Sequence, residues 1–496
     1  MLKEMFNTAY CSDKYQYTMG KSYFDSGMKD KIAVFNLFYR TAPDNNNWAV
    51  VSGVEEVLEM ISGLGKMDER FFEYLLPGDD CAEYRKMLAA MKFTGNVYAM
   101  REGEIAFPRE PVITVEAPLI EAQVLETPML CIMNHQMAVA TKASRVTRST
   151  AKPVSEFGSR RAHGPWAAVY GGKAAIIGGC ANSSNILSAD IFGFQSSGTM
   201  AHSYVTSFGV SVASEFKAFD TYIKTHRGEG LILLIDTFDT LKCGLQNAIR
   251  AFKANGIDDS YPQGYGIRLD SGDLAYLSQE CRAQLDKAGL AKCKVFATNS
   301  LDEYLIPELE RQGAAIDSYG VGDAIATSKH NPCFGNVYKL VQIDGQPVLK
   351  RSEDIVKLIN PGFQITYRIV QNGAFKADVT CLRGGPFEKK LLAGEDITIR
   401  AEFDNTRHTT YKAGSYEAKP LQVQVIKDGV ASPDKRSLAE RKQYYLDNLS
   451  CLNPTQKRLI NPHYYKVDIS DDLYDLKMNI LNTIIKEIDD FSYSQD

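Results

Sequence analysis

The sequence predicts an α/β protein with a βα-barrel at its centre, and three observations lead there. Between about residues 140 and 340, short apolar runs recur roughly every 20–35 residues, the length of a βα unit. They are Leu231-Ile-Leu-Leu-Ile-Asp236, Gly264-Tyr-Gly-Ile-Arg-Leu-Asp270, Lys294-Val-Phe-Ala-Thr-Asn299 and Ile316-Asp-Ser-Tyr-Gly320. Each run ends in Asp, Asn or Gly, which places polar groups at the carboxyl edge of a parallel sheet, where such folds bind ligands. No G-x-G-x-x-G opens the first unit, and this favours a barrel over a doubly wound sheet.

The elements follow in order. In residues 1–130 helical and strand signals mix. Ser52 to Ile61 carries Val54, Val57, Leu58 and Ile61 at helical spacing, Cys81 to Met91 reads as a second amphipathic helix, and Val112 to Val115 is strand-like. The barrel occupies 131–345, with helices such as Ala275 to Ala288 between its strands. In 346–496 the chain is strand-like again (Ile365 to Val370, Leu421 to Ile426), following Val337 to Ile343. It then turns polar through Ala439 to Asn448 and ends in a helix, Asp472 to Ile488. The first and last regions have similar character, which suits one discontinuous domain.

Composition narrows the function classes. The chain has 496 residues, 44% hydrophobic and 24% charged, with net charge −5. That balance lacks the basic field of a nucleic-acid binder. The longest apolar runs are too short to cross a bilayer, and the first residues lack a signal-peptide core. Ten cysteines without a C-x-x-C pair predict buried reduced thiols. The expectation is a cytoplasmic protein without membrane or nucleic-acid partners.

Three segments carry the chemistry. Ser197-Gly-Thr199-Met-Ala-His202-Ser203-Tyr sets a histidine among small and hydroxylated residues, suited to a phosphate-facing turn. With no second His or Cys nearby, His202 reads as a base or phosphoryl acceptor rather than a metal ligand; an ordinary hydrogen-bonded core histidine is the competing reading. Arg268-Leu-Asp270-Ser-Gly-Asp273 offers a guanidinium fork and carboxylates for Mg²⁺ or sugar hydroxyls, or simply a capped surface loop. Asp236 and Asp239 share that ambiguity, since either can cap the next helix. Glu156-Phe157-Gly-Ser-Arg160-Arg161 places cations beside a ring that can stack on an aromatic ligand; a solvated Arg pair fits it equally. Ser318-Tyr-Gly320-Val-Gly322 supplies two glycines between strand and helix, as an anion nest or a tight turn, and Asn299 and Ser300 end the preceding strand.

These stretches, with Asp13-Lys-Tyr15-Gln-Tyr-Thr-Met, Leu125-Glu-Thr-Pro-Met-Leu, Ala140-Thr-Lys142-Ala-Ser-Arg145 and Asn461-Pro-His-Tyr-Tyr-Lys, resemble the nicotinate phosphoribosyltransferases. The resemblance runs from about residue 10 to 345, with weaker echoes beyond. It implies an irregular βα-barrel plus an α/β sandwich made from both chain ends, and a homodimer with active sites at the subunit interface. It implies joining nicotinate to 5-phosphoribosyl 1-diphosphate, driven by ATP, with Mg²⁺ present and His202 phosphorylated.

By the same resemblance, Phe157 and a neighbouring subunit's Tyr15 stack on nicotinate. Arg160 and Arg268 line the carboxylate or diphosphate side. Asn299, Gly320 and Gly322 suit the ribose 5-phosphate, and Arg40 reaches it across the interface. Asp270 and Asp273 hold metal or ribose hydroxyls, with Asp236 a second carboxylate. Thr199 and Ser203 face phosphate. Where nicotinamide-using relatives carry a pocket aspartate, Asn185 falls here, a donor that tolerates the ligand's carboxylate. The competing expectations are a nicotinamide-preferring enzyme and a barrel that binds phosphosugars without turnover.

Overall fold

Six short strands of the central stretch pair in parallel throughout. They are β1 (Val154–Glu156), β2 (Asn182–Ser183), β3 (Leu231–Leu234), β4 (Tyr265–Leu269), β5 (Lys294–Ala297) and β6 (Ser318–Val321), in the order β2-β1-β6-β5-β4-β3. Parallel neighbours require crossover connections, and helices supply them: Pro165–Ile177 follows β1, Leu245–Ala254 follows β3, Leu274–Lys287 follows β4 and Leu305–Arg311 follows β5. The computed structural model describes residues 11–64, 69–351, 357–404 and 406–493.

The chain divides into two units. The parallel sheet belongs to one, Val139–Pro332 with Ser437–Lys442; the other comprises Met1–Ala138, Cys333–Arg436 and Gln443–Asp496. In this second, discontinuous unit, strands from distant parts of the chain pair antiparallel. Ile32–Tyr39 lies between Asn336–Ile343 and Ile113–Pro118, while Gln422–Lys427 pairs with Asn96–Met100. The resulting seven-stranded sheet buries Phe35, Leu37, Val97, Val115 and Tyr338 with helix residues Val57, Ile61 and Leu88. A six-stranded mixed sheet around Gln364–Gln371 and Ala374–Leu382 completes it.

Inside that unit Arg368 is fully buried. It donates to Glu104 Oε1 at 2.6 Å, Asp378 Oδ2 at 2.7 Å and the Ile105 carbonyl at 2.7 Å. Two carboxylates around one guanidinium repay desolvation only with such dense bonding.

The polar stretch 439–448, to which the sequence pattern assigns no element, is part of a helix, Leu438–Cys451. Ser437 and Glu440 form a capping box, with Ser437 N donating to Glu440 Oε2 at 2.7 Å and Glu440 N donating to Ser437 Oγ at 3.3 Å. The thiols also differ in part: all ten are free, but Cys11, Cys131 and Cys333 are exposed. No described helix is long and apolar enough to cross a membrane.

Candidate active site

The strand register sets out the site. Leu234 pairs with Arg268, Leu269 with Ala297, and Ala297 with Tyr319. One or two residues further on, the carboxyl ends carry Asp236, Asp270, Thr298 and Gly320 in a row across four neighbouring strands. Side chains alternate faces along a strand, so Arg268 shares the face of Asp270.

His202 opens the helix His202–Ser207 above this row. Its Nδ1 lies 3.1 Å from Thr237 Oγ1. Its Nε2 is 3.9 Å from both Asp236 Oδ1 and Asp270 Oδ2, beyond hydrogen-bond reach, and its side chain is 42% exposed. The ring is therefore held at one nitrogen and accessible at the other. A sealed core histidine would share the hydrogen bond but not the exposure.

The two carboxylates have different surroundings. Asp236, whose side chain is 1% exposed, accepts at Oδ2 from the Asp270 amide at 2.9 Å and Ser271 Oγ at 2.6 Å. Its Oδ1, turned to His202, is buried without a hydrogen-bond partner among the described residues. Asp270 accepts at Oδ1 from Arg268 Nη2 at 3.0 Å and from the Thr298 hydroxyl. Burial pushes the Asp270 carboxyl up, but Thr298, Arg268 and His202 outweigh it and hold it below its ordinary value.

Arg268 is a structural hub rather than a free arm. Nε donates to Thr298 Oγ1 at 2.9 Å, and Nη1 donates to Thr199 Oγ1 at 3.0 Å and to the Met200 carbonyl at 3.2 Å. These bonds tie the 199–200 loop, which leads into His202, to the strand ends. Thr199 is thus a partner of Arg268, while Ser203 is exposed.

Phe157 follows β1, its amide donating to the Val321 carbonyl at 2.8 Å. A Cβ on Gly320 would fall 2.6 Å from the Phe157 ring and 2.7 Å from Thr298 Cγ2. Gly320 therefore lies within β6 and admits the Phe157 ring, rather than sitting in the turn; Gly322 caps the next short helix. Glu156, unremarked in the sequence reading, is buried beneath Phe157's turn. It accepts from Ser183 Oγ at 2.6 Å and from the Gly158 amide, and burial raises its pKa.

The remaining residues are placed as follows. Arg160 is exposed just beyond Phe157, and Asn185 reaches that turn, donating from Nδ2 to Ser159 Oγ at 3.2 Å. Asn185 also caps the helix Ile186–Phe192 through Ser188 N at 2.9 Å. Asp273 caps Leu274–Lys287, accepting from Tyr276 N at 3.1 Å, and Asp239 likewise accepts from Lys242 N at 2.8 Å. Asn299 and Ser300 are exposed, with left-handed φ of 78° and 53°. Tyr15, on the first turn of Lys14–Asp25, and Arg40, just after Ile32–Tyr39, belong to the discontinuous unit.

The loop after β5 is anchored from below. Lys142 Nζ and Arg145 Nε each donate to Glu303 Oε1 at 2.9 Å, all three buried. Burial pushes Glu303 up, but the two cations hold it below its usual range. The Lys142–Arg145 motif is therefore a buried ion triplet. Thr237, just after the run that ends at Asp236, and Thr298, within the run that ends at Asn299, orient His202 and Asp270 but carry no sequence signal of their own; threonine is ordinary at strand ends.

The chain is similar in sequence and fold to known proteins. The model of the nicotinate phosphoribosyltransferase N-terminal domain matches residues 11–134, and that of the C-terminal domain matches 363–477. Nicotinate phosphoribosyltransferase of Bacillus subtilis is 37% identical over 492 residues, covering 97% of this chain and 96% of its own. The crystal structure of human nicotinic acid phosphoribosyltransferase superposes with a TM-score of 0.79 at 26% identity, covering 95% of this chain and 99% of that one. A nicotinate-nucleotide pyrophosphorylase from Pyrococcus furiosus shares the fold, with a TM-score of 0.64 at 24% identity over 90% of this chain and 95% of that one. With that identity along nearly its whole length, the chain belongs to the nicotinate phosphoribosyltransferase family.

Proposed function

We propose that this protein joins nicotinate to 5-phosphoribosyl 1-diphosphate, releasing diphosphate and forming nicotinate mononucleotide, the entry step of NAD salvage. The observation that carries the reading is the half-exposed His202 side chain, whose Nε2 faces Asp236 and Asp270 at the carboxyl edge of the parallel sheet. As the nicotinate ring nitrogen attacks the anomeric carbon, the bond to diphosphate breaks and the ribose gains oxocarbenium character. Carboxylates near that carbon stabilise the positive charge, and positioning supplies much of the rate. Phe157, fixed against Gly320, presents a ring face for the pyridine; Arg160 is the exposed cation nearest it in sequence, suited to the ligand's carboxylate. Asn185 places an amide rather than a carboxylate at that turn, which favours the acid over nicotinamide.

ATP coupling runs through His202. With Nδ1–H donating to Thr237 Oγ1, Nε2 keeps its lone pair, attacks the γ-phosphorus and displaces ADP; water later cleaves the phosphoramidate to phosphate. The parallel sheet is read as an irregular barrel, and the working form as a cytoplasmic homodimer in which Tyr15 and Arg40 complete a neighbour's site. Mg²⁺ neutralises the diphosphate when bound. The unpartnered Asp236 Oδ1 and the facing Asp270 Oδ2 are hard oxygen donors that fit it, whereas Asp273 already caps a helix.

Incubation with γ-labelled ATP tests the phosphoryl step. Acid-labile, base-stable label on wild type that disappears in His202→Ala supports it; label persisting in the variant overturns it. Competition between nicotinate and nicotinamide at equal concentration tests the substrate, and preference for the amide removes the reading.

A further inference from the structure

In the discontinuous unit, residues 11–16 run across the opening turns of the helix Glu126–Arg148. Gln16 Nε2 donates to Glu126 Oε2 at 2.8 Å, and Thr127 Oγ1 donates to Asp13 Oδ2 at 2.8 Å. Residues four apart on a helix share a face one turn apart, about 5.4 Å along the axis. Cys131 therefore follows Thr127 along the contacted face. Cys11 precedes Asp13 by two residues, an extended reach of roughly 7 Å. Running back from Asp13 and onward from Thr127, the segment and the helix extend by similar lengths, which brings the two thiols toward one another.

Burial first, and then the Cys11 thiol beside it, raise the pKa of Cys131. Both cysteines are free and exposed, whereas Cys81, Cys180, Cys243, Cys281, Cys293 and Cys381 are buried. A thiol pair that solvent can reach and whose partners are already held together is poised for exchange.

We propose that Cys11 and Cys131 form a redox-modification site, which a low-molecular-weight disulfide such as oxidised glutathione converts to a reversible intramolecular disulfide. Cys131, the more interior of the two along the helix, acts second. The Cys11 thiol loses its proton to water, and its sulfur attacks one sulfur of glutathione disulfide. The S–S bond breaks, and one glutathione leaves as thiolate and takes up a proton. Cys131, deprotonated in turn, attacks the Cys11 sulfur of the mixed disulfide and displaces the second glutathione. Two protein thiols are oxidised and one glutathione disulfide is reduced to two thiols. The product staples the segment that carries Tyr15 onto the helix.

The test equilibrates the full-length protein in glutathione buffers of falling reduced-to-oxidised ratio. Acid quenching, N-ethylmaleimide alkylation and peptide mass spectrometry follow. The expected result is a Cys11–Cys131 linked peptide pair that dithiothreitol reverses, with residues 11–25 exchanging amide hydrogens more slowly in the oxidised form. Cys11→Ser and Cys131→Ser should each abolish the link. In Cys131→Ser the glutathione adduct on Cys11 should accumulate at least tenfold over wild type, because nothing resolves it. Glutathione adducts on both cysteines of the wild-type chain without a link, linkage of either to Cys333, or no oxidation of the pair would overturn the proposal.

Discussion

Thr237 Oγ1 stands 3.1 Å from Nδ1 of His202, so a hydroxyl just past the end of β3 fixes the ring that heads a helix in the connection leading into that strand. Its partner nitrogen is thereby aimed at Asp236 and Asp270. A side chain with no reactive chemistry of its own decides which nitrogen meets the ligand.

Thr237→Val keeps the shape and removes the bond. We expect kcat for nicotinate mononucleotide formation to fall about tenfold, corresponding to about 1.4 kcal/mol, with Thr237→Ser close to wild type. Steady-state kinetics with a melting curve for each variant checks this; an unchanged kcat in the valine variant would remove the orienting role.

Asp236→Asn replaces the carboxylate whose Oδ1 faces His202 while retaining an acceptor for Ser271. The expected loss is roughly 10²-fold in kcat. Asp270→Asn should cost at least as much, because Arg268 then loses its only ion-pair partner among the described residues. Circular dichroism distinguishes a lost charge from a lost fold.

Gly320→Ala puts a methyl group 2.6 Å from the Phe157 ring, and the ring must move. Overpacking of this kind costs about 1–3 kcal/mol. The prediction is a KM for nicotinate raised roughly tenfold, with the KM for the phosphoribosyl donor less affected. Equal changes in both would mean that Phe157 does not define the pyridine side.

Glu402 gives a pH test remote from the site. It accepts from Arg109 at 2.5 Å and from Lys477 at 2.7 Å, and these cations outweigh burial to hold its carboxyl below the ordinary value. Burial lowers the Lys477 ammonium despite that carboxylate; the hydrogen-bonded geometry nonetheless keeps the pair charged at neutral pH. A depressed acid contributes stability above its unfolded pKa, near 4.3, and loses it as pH falls through the folded value. Glu402→Gln should therefore destabilise the protein by about 3–5 kcal/mol at pH 7. The gap to wild type should narrow below about pH 4. Chemical denaturation across pH measures it, and a gap that widens in acid would refute the assignment.

Much of this was legible in the residues alone. The βα recurrence, the helices at Val54–Ser62 and Leu274–Lys287 and the strands at Asn336–Ile343 and Gln364–Gln371 follow from local periodicity. The helix Leu438–Cys451 is not legible from apolar periodicity, because its sequence is largely polar and its start is marked only by the Ser437–Glu440 capping box.

The sequence by itself determined which residue types end each strand, because apolar runs and their polar stops are local properties of the chain. It also placed His202, Asp236 and Asp270 in segments that belong together. Only the tertiary structure decided that strand register lines up Asp236, Asp270, Thr298 and Gly320. It alone turned Arg268 inward onto Thr199, Thr298 and Asp270, and made Gly320 the space that Phe157 occupies. Register, close approach and the sharing of hydrogen-bond donors depend on residues tens of positions apart, and no local pattern encodes them.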